Sequence, residues 1–270
     1  MMRRARQIAK TLLPRRIADY LRDRRTKWQI PDAVRAFETI RAEEPIAFYS
    51  IGARNGADPV ETYFRRRGKM KIIGVEPEPA EAAKLLADAT LDHVLPTALG
   101  AEDGAGTLQV TRQIGCSSLL EPHAENLAKL CVVPEWFEVQ RRLPVEVRRL
   151  DRLVAEFRLP PPDMMEIDVQ GYEYQVLEGC GELLSAVGSL SLELHFQQFY
   201  REQKTFAEVH AWLYSKGFHL AQLKRGLKGD TLVEVDALFY NRRLIASSAR
   251  AAATLRYWRD RYRHRWRRAI

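Results

Sequence analysis

The stretch Asp163-Met-Met-Glu-Ile-Asp-Val-Gln-Gly171 decides the fold of this chain. Its apolar run lies between Pro160-Pro-Pro162 and Gly171, and it ends in acids, an amide and a glycine. Such a run is typical of a parallel strand that helices cover on both faces. Because open α/β sheets bind ligands outside the carboxyl ends of their strands, Asp168 is the first candidate functional residue.

Length and composition indicate an ordinary globular chain. Its 270 residues, 46% apolar and 29% charged, can bury the core of one large domain or two small ones. No apolar run approaches the roughly 20 residues that a membrane-spanning helix needs, and no secretory leader pattern opens the chain. Cys116, Cys131 and Cys180 form no Cys-x-x-Cys pair, which favours free thiols in a reducing compartment. We therefore expect a soluble, cytoplasmic protein.

The net charge of +8 is divided unevenly along the chain. Residues 1–28 hold ten Lys or Arg against two Asp, and residues 242–270 hold ten Arg against one Asp. The part between them is therefore mildly acidic. Two basic ends around an acidic body favour docking to an anionic surface, whereas a nucleic-acid enzyme would more often carry positive charge near its cleft. A nucleic-acid partner is disfavoured.

The charge pattern divides the chain into three predicted segments. These are a basic amphipathic helical segment at 1–30, the main domain at 31–243 and a basic aromatic helix at 244–270. In the last segment an apolar stripe recurs at spacings of three and four: Leu255, Trp258, Tyr262 and Trp266. Aromatic rings settle at lipid headgroups and Arg pairs with phosphate, which favours a peripheral contact with the inner membrane face. Packing of either basic segment against the domain is the open alternative.

A glycine loop follows the first predicted core strand, Pro45 to Ile51. The loop Gly52-Ala-Arg-Asn-Gly56 then leads into a helix with Pro59 in its first turn. Glycines let a backbone approach a ligand closely, and the helix start presents free N–H groups. The Gly-x-x-x-Gly spacing alone is weak, since a turn without a ligand uses the same residues. Gly52, Ala53, Asn55 and Gly56 are candidate cofactor-binding residues.

Glu76-Pro77 ends the second predicted strand, Met70 to Glu76. A carboxylate at this place can accept hydrogen bonds from both hydroxyls of an adenosine ribose, so loop and acid together predict an adenosine cofactor. NAD would use the same geometry, but Arg54 stands where the second glycine of its usual fingerprint falls. The pattern therefore favours S-adenosylmethionine over NAD.

An insertion at about 100–140 interrupts the α/β alternation. We expect a helix over 79–91, one strand over 94–99 and a hairpin arm over 104–111. Ser117 and Ser118 follow in a polar loop, where they either line a pocket or form a turn or cap. Asp151 is the expected N-cap of the next helix, and a further helix is expected over 172–185.

Acids and a histidine share one face at two strand ends. Because side chains alternate along a strand, Glu166 lies on the same face as Asp168. In the strand 189–195, Glu193 likewise lies on the same face as His195. His195 is either a proton carrier or a hydrogen-bonded histidine at a strand end. No cluster of metal ligands is evident in the sequence, so we expect no required metal.

Several motifs in order carry a family resemblance over roughly residues 45–241. They are Ile51-Gly-Ala-Arg-Asn-Gly56, Gly74-Val-Glu-Pro77, Ala98-Leu-Gly100, Gly115-Cys-Ser-Ser-Leu-Leu-Glu-Pro122, Leu150-Asp151, Glu166-Ile-Asp-Val-Gln-Gly171, Val176-Leu-Glu-Gly179 and Asp236-Ala-Leu-Phe239. Together they resemble FkbM-family methyltransferases. The resemblance implies a class I methyltransferase fold: a mixed seven-stranded, Rossmann-like sheet with helices on both faces and an antiparallel last strand over 233–240.

The resemblance also implies S-adenosylmethionine as methyl donor and an oxygen acceptor on a sugar, glycan or natural product. It adds Ser50, Pro77, Ala98 and Leu99 to the expected cofactor site. Ser117, Ser118, Gln170 and Glu193 are the expected acceptor-binding residues. Asp168 is the first candidate base and His195 the second, because an alcohol attacks poorly unless it loses its proton as the bond forms.

Two positions depart from the family pattern. Ser50 stands where the family commonly has Asp, and Glu166 stands where it often has Lys. Both changes alter the charge beside the expected cofactor site. Two other functions stay open at this point: a nicotinamide-dependent oxidoreductase on a similar fold, and a non-catalytic docking protein. The sequence carries no signal for the oligomeric state.

Overall fold

A computed structural model describes residues 31–41, 43–88, 90–130, 133–228 and 231–265. A seven-stranded sheet forms its centre, in the order β3-β2-β1-β7-β8-β10-β9. All strand pairs are parallel except those of β10, which runs antiparallel to both neighbours. The strands of this sheet are β1 (Ile46–Ile51), β2 (Met70–Val75), β3 (His93–Leu95), β7 (Met164–Ile167), β8 (Ser189–His195), β9 (Phe218–Lys228) and β10 (Thr231–Asn241).

Nine α-helices surround the sheet within the described ranges. They are α1 (Pro31–Glu38), α2 (Pro59–Arg66), α3 (Pro79–Asp88), α4 (Ala124–Leu130), α5 (Leu150–Glu156), α6 (Glu173–Glu178), α7 (Phe206–Ser215), α8 (Arg242–Ser247) and α9 (Ala249–Arg265). Apolar residues of α5, α6 and α7 pack on one face, and those of α1, α2, α3 and α9 pack on the other. This arrangement confirms the class I methyltransferase fold, with helices on both faces and an antiparallel closing strand.

Strand β1 shows why the central strands are apolar throughout. Ala47, Tyr49 and Ile51 belong to the core under α5 to α7, whereas Ile46 and Phe48 belong to the core under α1, α2 and α9. Successive side chains point to opposite faces, so a strand covered on both sides needs apolar residues at nearly every position. The same holds for β7, whose Met164, Met165 and Ile167 are fully buried.

The predicted insertion forms a small second sheet of β4 (Ala98–Leu99), β5 (Gly104–Thr111) and β6 (Val139–Arg148). β5 and β6 pair antiparallel, and β4 joins β6 in parallel. The prediction of a single strand over 94–99 was wrong. β3 ends at Leu95, and β4 then belongs to the other sheet. The break lies at Pro96, which cannot donate a ladder hydrogen bond.

Two further local predictions were wrong. The helix expected over 172–185 ends at Glu178, and a 3₁₀ segment follows over Gly181–Ala186, after two glycines weaken the helix. Asp151 lies inside α5 rather than at its N-cap, which is Arg149. Its carboxylate instead pairs with the Arg149 side chain, whose Nε lies 3.0 Å from Oδ1.

The carboxyl-terminal helix α9 packs into the domain. Leu255, Trp258 and Tyr262 of the predicted stripe are at most 5% exposed. The backbone N–H of Ala33 in α1 donates to the buried carboxylate of Asp260 at 2.8 Å. Of the two open alternatives, packing is therefore the correct one for these three residues. Trp266 and the whole 1–30 segment lie outside the described residues.

None of the helices in the described ranges is long and apolar enough to cross a membrane. The longest, α9, has 17 residues and is rich in Arg.

Candidate functional site

Two adjoining cavities open at the carboxyl ends of the central strands. Ile51, Gly52, Asn55 and Asp168 line both of them. The first cavity, open to solvent on one side, has a volume of about 760 Å³. The two form one bent cleft around the glycine loop after β1.

The first cavity collects most of the predicted site residues. It is lined by Gly52, Asn55, Glu76, Pro77, Ala98, Leu99, Ser117, Ser118, Asp168 and Gln170. The second cavity takes in Ser50, Ala53, Gly56 and Glu193. Among the predicted residues, His195 lines neither cavity.

Gly52 is required by the close approach of β1 and β7. Its φ is +85°, in the region that favours glycine. A Cβ at this position would lie 2.0 Å from the carbonyl oxygen of Asp168. Any side chain would therefore push the glycine loop away from the end of β7.

Glu76 lies at the end of β2, only 3% exposed, on the wall of the first cavity. Its Oε1 accepts the backbone N–H of Glu78 at 2.9 Å. Burial raises the pKa of this carboxyl, while that hydrogen bond and nearby Arg54 lower it. Glu76 is thus held rigidly and has further acceptor capacity for the two hydroxyls of a ribose.

Arg54, which marked the departure from a nicotinamide fingerprint, ties three segments together. Its Nη2 donates to the Glu78 carboxylate, and its Nη1 donates to the carbonyl of Ile114 at 3.2 Å. Arg141 of β6 binds the other oxygen of Glu78 at 2.9 Å. The glycine loop is therefore fixed to the insertion, which forms the outer wall of the first cavity.

Ser117 and Ser118 border the cavity but also make local hydrogen bonds. Ser117 Oγ accepts the Thr111 N–H at 3.2 Å, and Ser118 Oγ accepts the Leu120 N–H at 3.0 Å. Ser118 is 1% exposed. Turn formation, one of the two open alternatives, is thus present for Ser118, whereas Ser117 bonds across to the end of β5, and an acceptor contact of either serine stays a prediction.

A hydrogen-bonded network crosses the cleft where the cavities meet. Gln170 Nε2 donates to Asp168 Oδ1 at 2.8 Å and to Glu193 Oε1 at 2.6 Å. Its Oε1 accepts from the hydroxyl of Tyr200 at 3.2 Å. One amide therefore holds the two carboxyl groups side by side at the ends of β7 and β8.

The neighbourhood of Glu193 favours its neutral form. Burial raises the pKa of Glu193 well above its usual range, and Asp168, Glu234 and Asp236 raise it further. The hydrogen bond from Gln170 opposes this rise. Two adjacent carboxyl groups do not both ionise readily, so a protonated Glu193 lets Asp168 carry the negative charge.

Buried Glu173 shapes the turn that carries Gln170. Its Oε1 accepts the N–H groups of Val169 and Gly171, both at 3.1 Å. Gln170 between them has a φ of +56°, which is uncommon for a residue other than glycine. Burial raises the pKa of Glu173 to about 8.

His195 lies behind the network and is 1% exposed. Gln203 Oε1 accepts the N–H groups of Phe199 and Tyr200, so its amide nitrogen must be the group that faces His195 Nδ1, at 2.7 Å. Nδ1 therefore accepts, and the neutral ring carries its proton on Nε2. This tautomer leaves neither ring nitrogen free to take a proton from an acceptor.

One cluster within the described residues has metal-ligand chemistry. Glu193, His195 and Glu234 bring one potential ligand atom each within 4.8 Å of one another. The tautomer of His195 leaves no lone pair on Nε2, and Nδ1 already accepts from Gln203. The cluster therefore supports no metal site, and the absence of a required metal stays a prediction.

The second cavity is strongly charged. Six carboxyl groups line it, against the two cations Lys224 and Arg261; the carboxyls are Asp58, Glu61, Glu166, Asp168, Glu193 and Asp236. Lys224 pairs with Asp236 at 2.9 Å. Arg261 reaches the cavity from α9 and pairs with Asp58 at the N-cap of α2.

Sequence reasoning missed Arg54, Tyr200 and Arg261 as parts of the site. Arg54 lies inside the glycine loop, and no spacing in the sequence relates it to Glu78 and Ile114, to which it donates. Tyr200 and Arg261 lie outside the strand-end motifs, and only the packing of α9 and of the 196–205 loop brings them to the cleft.

The mixed sheet, with one strand antiparallel to its neighbours and a cleft at its carboxyl edge, has the architecture of the class I methyltransferase fold. The profile of the methyltransferase FkbM domain matches residues 50–220. The chain belongs to this family, and its cofactor is S-adenosylmethionine.

Individual relatives are more distant. The 2-O-methyltransferase NoeI of Sinorhizobium fredii is 26% identical over 193 residues, which cover 68% of this chain and 76% of NoeI. The S-adenosylmethionine-bound magnesium protoporphyrin IX methyltransferase of Synechocystis shares 11% identity, with a TM-score of 0.41 over 83% of this chain and 79% of the other. The Burkholderia thailandensis 1,6-didemethyltoxoflavin-N1-methyltransferase shares 14%, with a TM-score of 0.36 over 85% and 90%. These two scores are too low to support any inference about this chain.

Proposed function

We propose that this methyltransferase methylates a hydroxyl oxygen on a sugar or glycan. The observation that carries the proposal is the Asp168–Gln170–Glu193 network, in which one amide holds two carboxyl groups side by side at the carboxyl edge of the sheet. The relative named as a 2-O-methyltransferase supports an oxygen acceptor. A small-molecule hydroxyl would meet the same chemistry.

The residues of the first cavity fit the adenosine part of the cofactor. Glu76 offers acceptors to the ribose hydroxyls, and the buried apolar side chains of Ala98 and Leu99 border the space beside them. The glycine loop allows close approach of a ligand to the backbone of Gly52. When bound, S-adenosylmethionine supplies an electrophilic methyl group on its sulfonium.

Asp168 is the proposed general base. Asp168 lines both cavities, and Gln170 Nε2 donates to one of its carboxylate oxygens at 2.8 Å. A base in this place accepts the proton of the acceptor hydroxyl as the oxygen bonds to carbon, a contribution of about 10² to 10⁴ in rate. His195, the second candidate, is set aside in this proposal because its tautomer and burial oppose the role.

Methyl-group transfer from tritiated S-adenosylmethionine tests the acceptor class. The purified chain should label glycan and lipid-linked sugar fractions from its source cell, and periodate or per-deuteromethylation analysis should locate the label on a sugar oxygen. Label found on nitrogen or carbon, with none on oxygen, would overturn the proposal. An Asp168→Asn sample, run in parallel, reports any labelling by contaminants.

A second proposal concerns the basic ends of the chain. We infer that residues 1–30 are the better candidate for binding an anionic surface, since the aromatic stripe of α9 packs against the domain instead. Flotation with anionic vesicles tests this: deletion of residues 1–30 should abolish vesicle binding, and unchanged binding would remove the idea.

A further inference from the structure

Arg261 is a buried cation that lines the second cavity. Its Nη1 donates to Asp58, and its Nη2 lies 3.6 Å from Glu61 Oε1. Its Nε–H is buried and has no hydrogen-bond partner within the described part of the chain. A buried donor without a partner is destabilising and uncommon in native proteins, so a ligand is a natural partner for it.

The position of Arg261 relative to the cofactor follows from how the cavities join. Glu76 marks the adenosine end in the first cavity, and the two cavities share Gly52 and Asp168. A cofactor that places its ribose at Glu76 and its sulfonium near Asp168 must direct its amino acid end into the second cavity. The rest of that cavity is where the zwitterionic end finds its partners.

The chemistry of the second cavity matches a zwitterion. An α-ammonium group needs carboxylates, and Asp58 and Glu166 line the cavity. An α-carboxylate needs a cation, and Lys224 is already paired with Asp236 at 2.9 Å. Arg261 retains the Nε–H described above, and a guanidinium recognises a carboxylate through paired N–H donors.

We propose that α9 completes the cofactor site and that Arg261 binds the carboxylate of the amino acid end of S-adenosylmethionine. This inference rests on the adenosine end lying at Glu76, as proposed above. Arg261 lies outside residues 50–220, which match the family profile. The helix therefore gives this chain a cofactor contact that the matched domain does not contain.

Calorimetry with three ligands tests the inference without measuring turnover. They are S-adenosylhomocysteine, its decarboxylated analogue and methylthioadenosine, which lacks the amino acid end. The wild-type chain should prefer S-adenosylhomocysteine to the decarboxylated analogue by about tenfold to a hundredfold, the effect of a hydrogen bond to a charged group. In Arg261→Gln this preference should shrink to about threefold or less, with methylthioadenosine binding unchanged.

Two further variants keep the test decisive. Arg256→Gln removes an exposed Arg from the same helix and should retain the full preference. Arg261→Lys retains the positive charge beside Asp58 and Glu61, so it should fold even if Arg261→Gln fails to fold. Its preference for S-adenosylhomocysteine should be about tenfold smaller than that of the wild type, because lysine lacks the guanidinium fork.

Several outcomes would overturn the inference. The first is a wild-type chain that binds both ligands equally. The second is a preference that survives in Arg261→Gln or Arg261→Lys. The third is an equal loss of methylthioadenosine binding in either variant, which would assign Arg261 a structural role. If the wild-type chain bound none of the three ligands, the adenosine site itself would be wrong, and the inference with it.

Discussion

Ser50 of β1 and Glu166 of β7 are register partners in the central sheet. They are the two positions at which the sequence departs from the family pattern, and both line the second cavity. At this register position a hydroxyl therefore stands on β1 beside a carboxyl group on β7. Arg261 of α9 places a positive charge near Glu166, and the two side chains interact electrostatically.

Introducing Asp at position 50 alone should destabilise the protein. Ser50→Asp would place a carboxylate opposite Glu166, and like charges on neighbouring strands cost about 1 kcal/mol, more where burial limits solvation. The double variant Ser50→Asp/Glu166→Lys should recover most of this loss. Urea unfolding of the two single variants and the double variant measures the coupling, and strictly additive effects would contradict it.

Glu76→Gln should weaken binding of S-adenosylhomocysteine by about tenfold or more, because an amide offers one acceptor where the carboxylate offers two. Methylthioadenosine should lose affinity to the same extent, since it retains the ribose. Calorimetric titration of both ligands gives the result. Glu125→Gln, on exposed α4, is the matched control and should bind normally. A normal affinity in Glu76→Gln would remove this residue from the site.

Folding stability should depend on pH through Glu173. The pKa of Glu173 is raised from 4.5 to about 8 in the folded protein. Because the folded state binds this proton more tightly, its contribution is complete below the unfolded pKa and is lost as pH rises through about 8. The loss amounts to about 4 to 5 kcal/mol once ionisation is complete.

Glu173→Gln is the variant that isolates this effect. The amide oxygen can still accept the N–H groups of Val169 and Gly171, but it cannot ionise. Thermal unfolding between pH 6 and about 9 should therefore show a flatter pH dependence than in the wild type. A slope identical to that of the wild type would assign the pH dependence to other groups, such as Glu61, whose pKa is also raised by burial to about 8.

Much of the sheet could be predicted from patterns within single strands. The runs ending at Ile51, at Glu76 and just before Asp168 are mostly apolar and are bounded by turn residues, which is typical of strands buried on both faces. The glycine loop and the acid after β2 could be predicted as well, because each comes directly after the end of one of these strands. The site residues at these ends were found because topology alone gathers them at one edge.

The remaining features depend on tertiary packing, which leaves no local signal. The stripe of α9 has the same periodicity whether it faces lipid or the core. The burial of Trp258 and Tyr262 shows that it faces the core. The tautomer of His195 depends on Gln203, eight residues away across a loop. Arg261 meets Asp58 across more than 200 positions of sequence, so no spacing rule relates them.

Gln170 should act as a positioning residue. Gln170→Gly suits the positive φ of +56°, but it removes the amide that holds Asp168 beside Glu193. We expect kcat to fall by about tenfold to a hundredfold with little change in the KM for S-adenosylmethionine, because binding of the cofactor does not require the amide. The pH profile of kcat should also shift, since the two carboxyl groups lose the donor between them. An unchanged profile would reduce Gln170 to a structural turn residue.

The role of Asp168 as general base is the central claim, and single-turnover methyl transfer by Asp168→Asn tests it most directly. Labelled S-adenosylmethionine, saturating acceptor and excess enzyme give the rate of the chemical step, and calorimetry gives the affinity for S-adenosylhomocysteine. We predict that the rate falls by about 10² to 10⁴ while the affinity stays within about threefold of the wild type. A variant that transfers methyl groups at the wild-type rate with normal cofactor affinity would contradict the account.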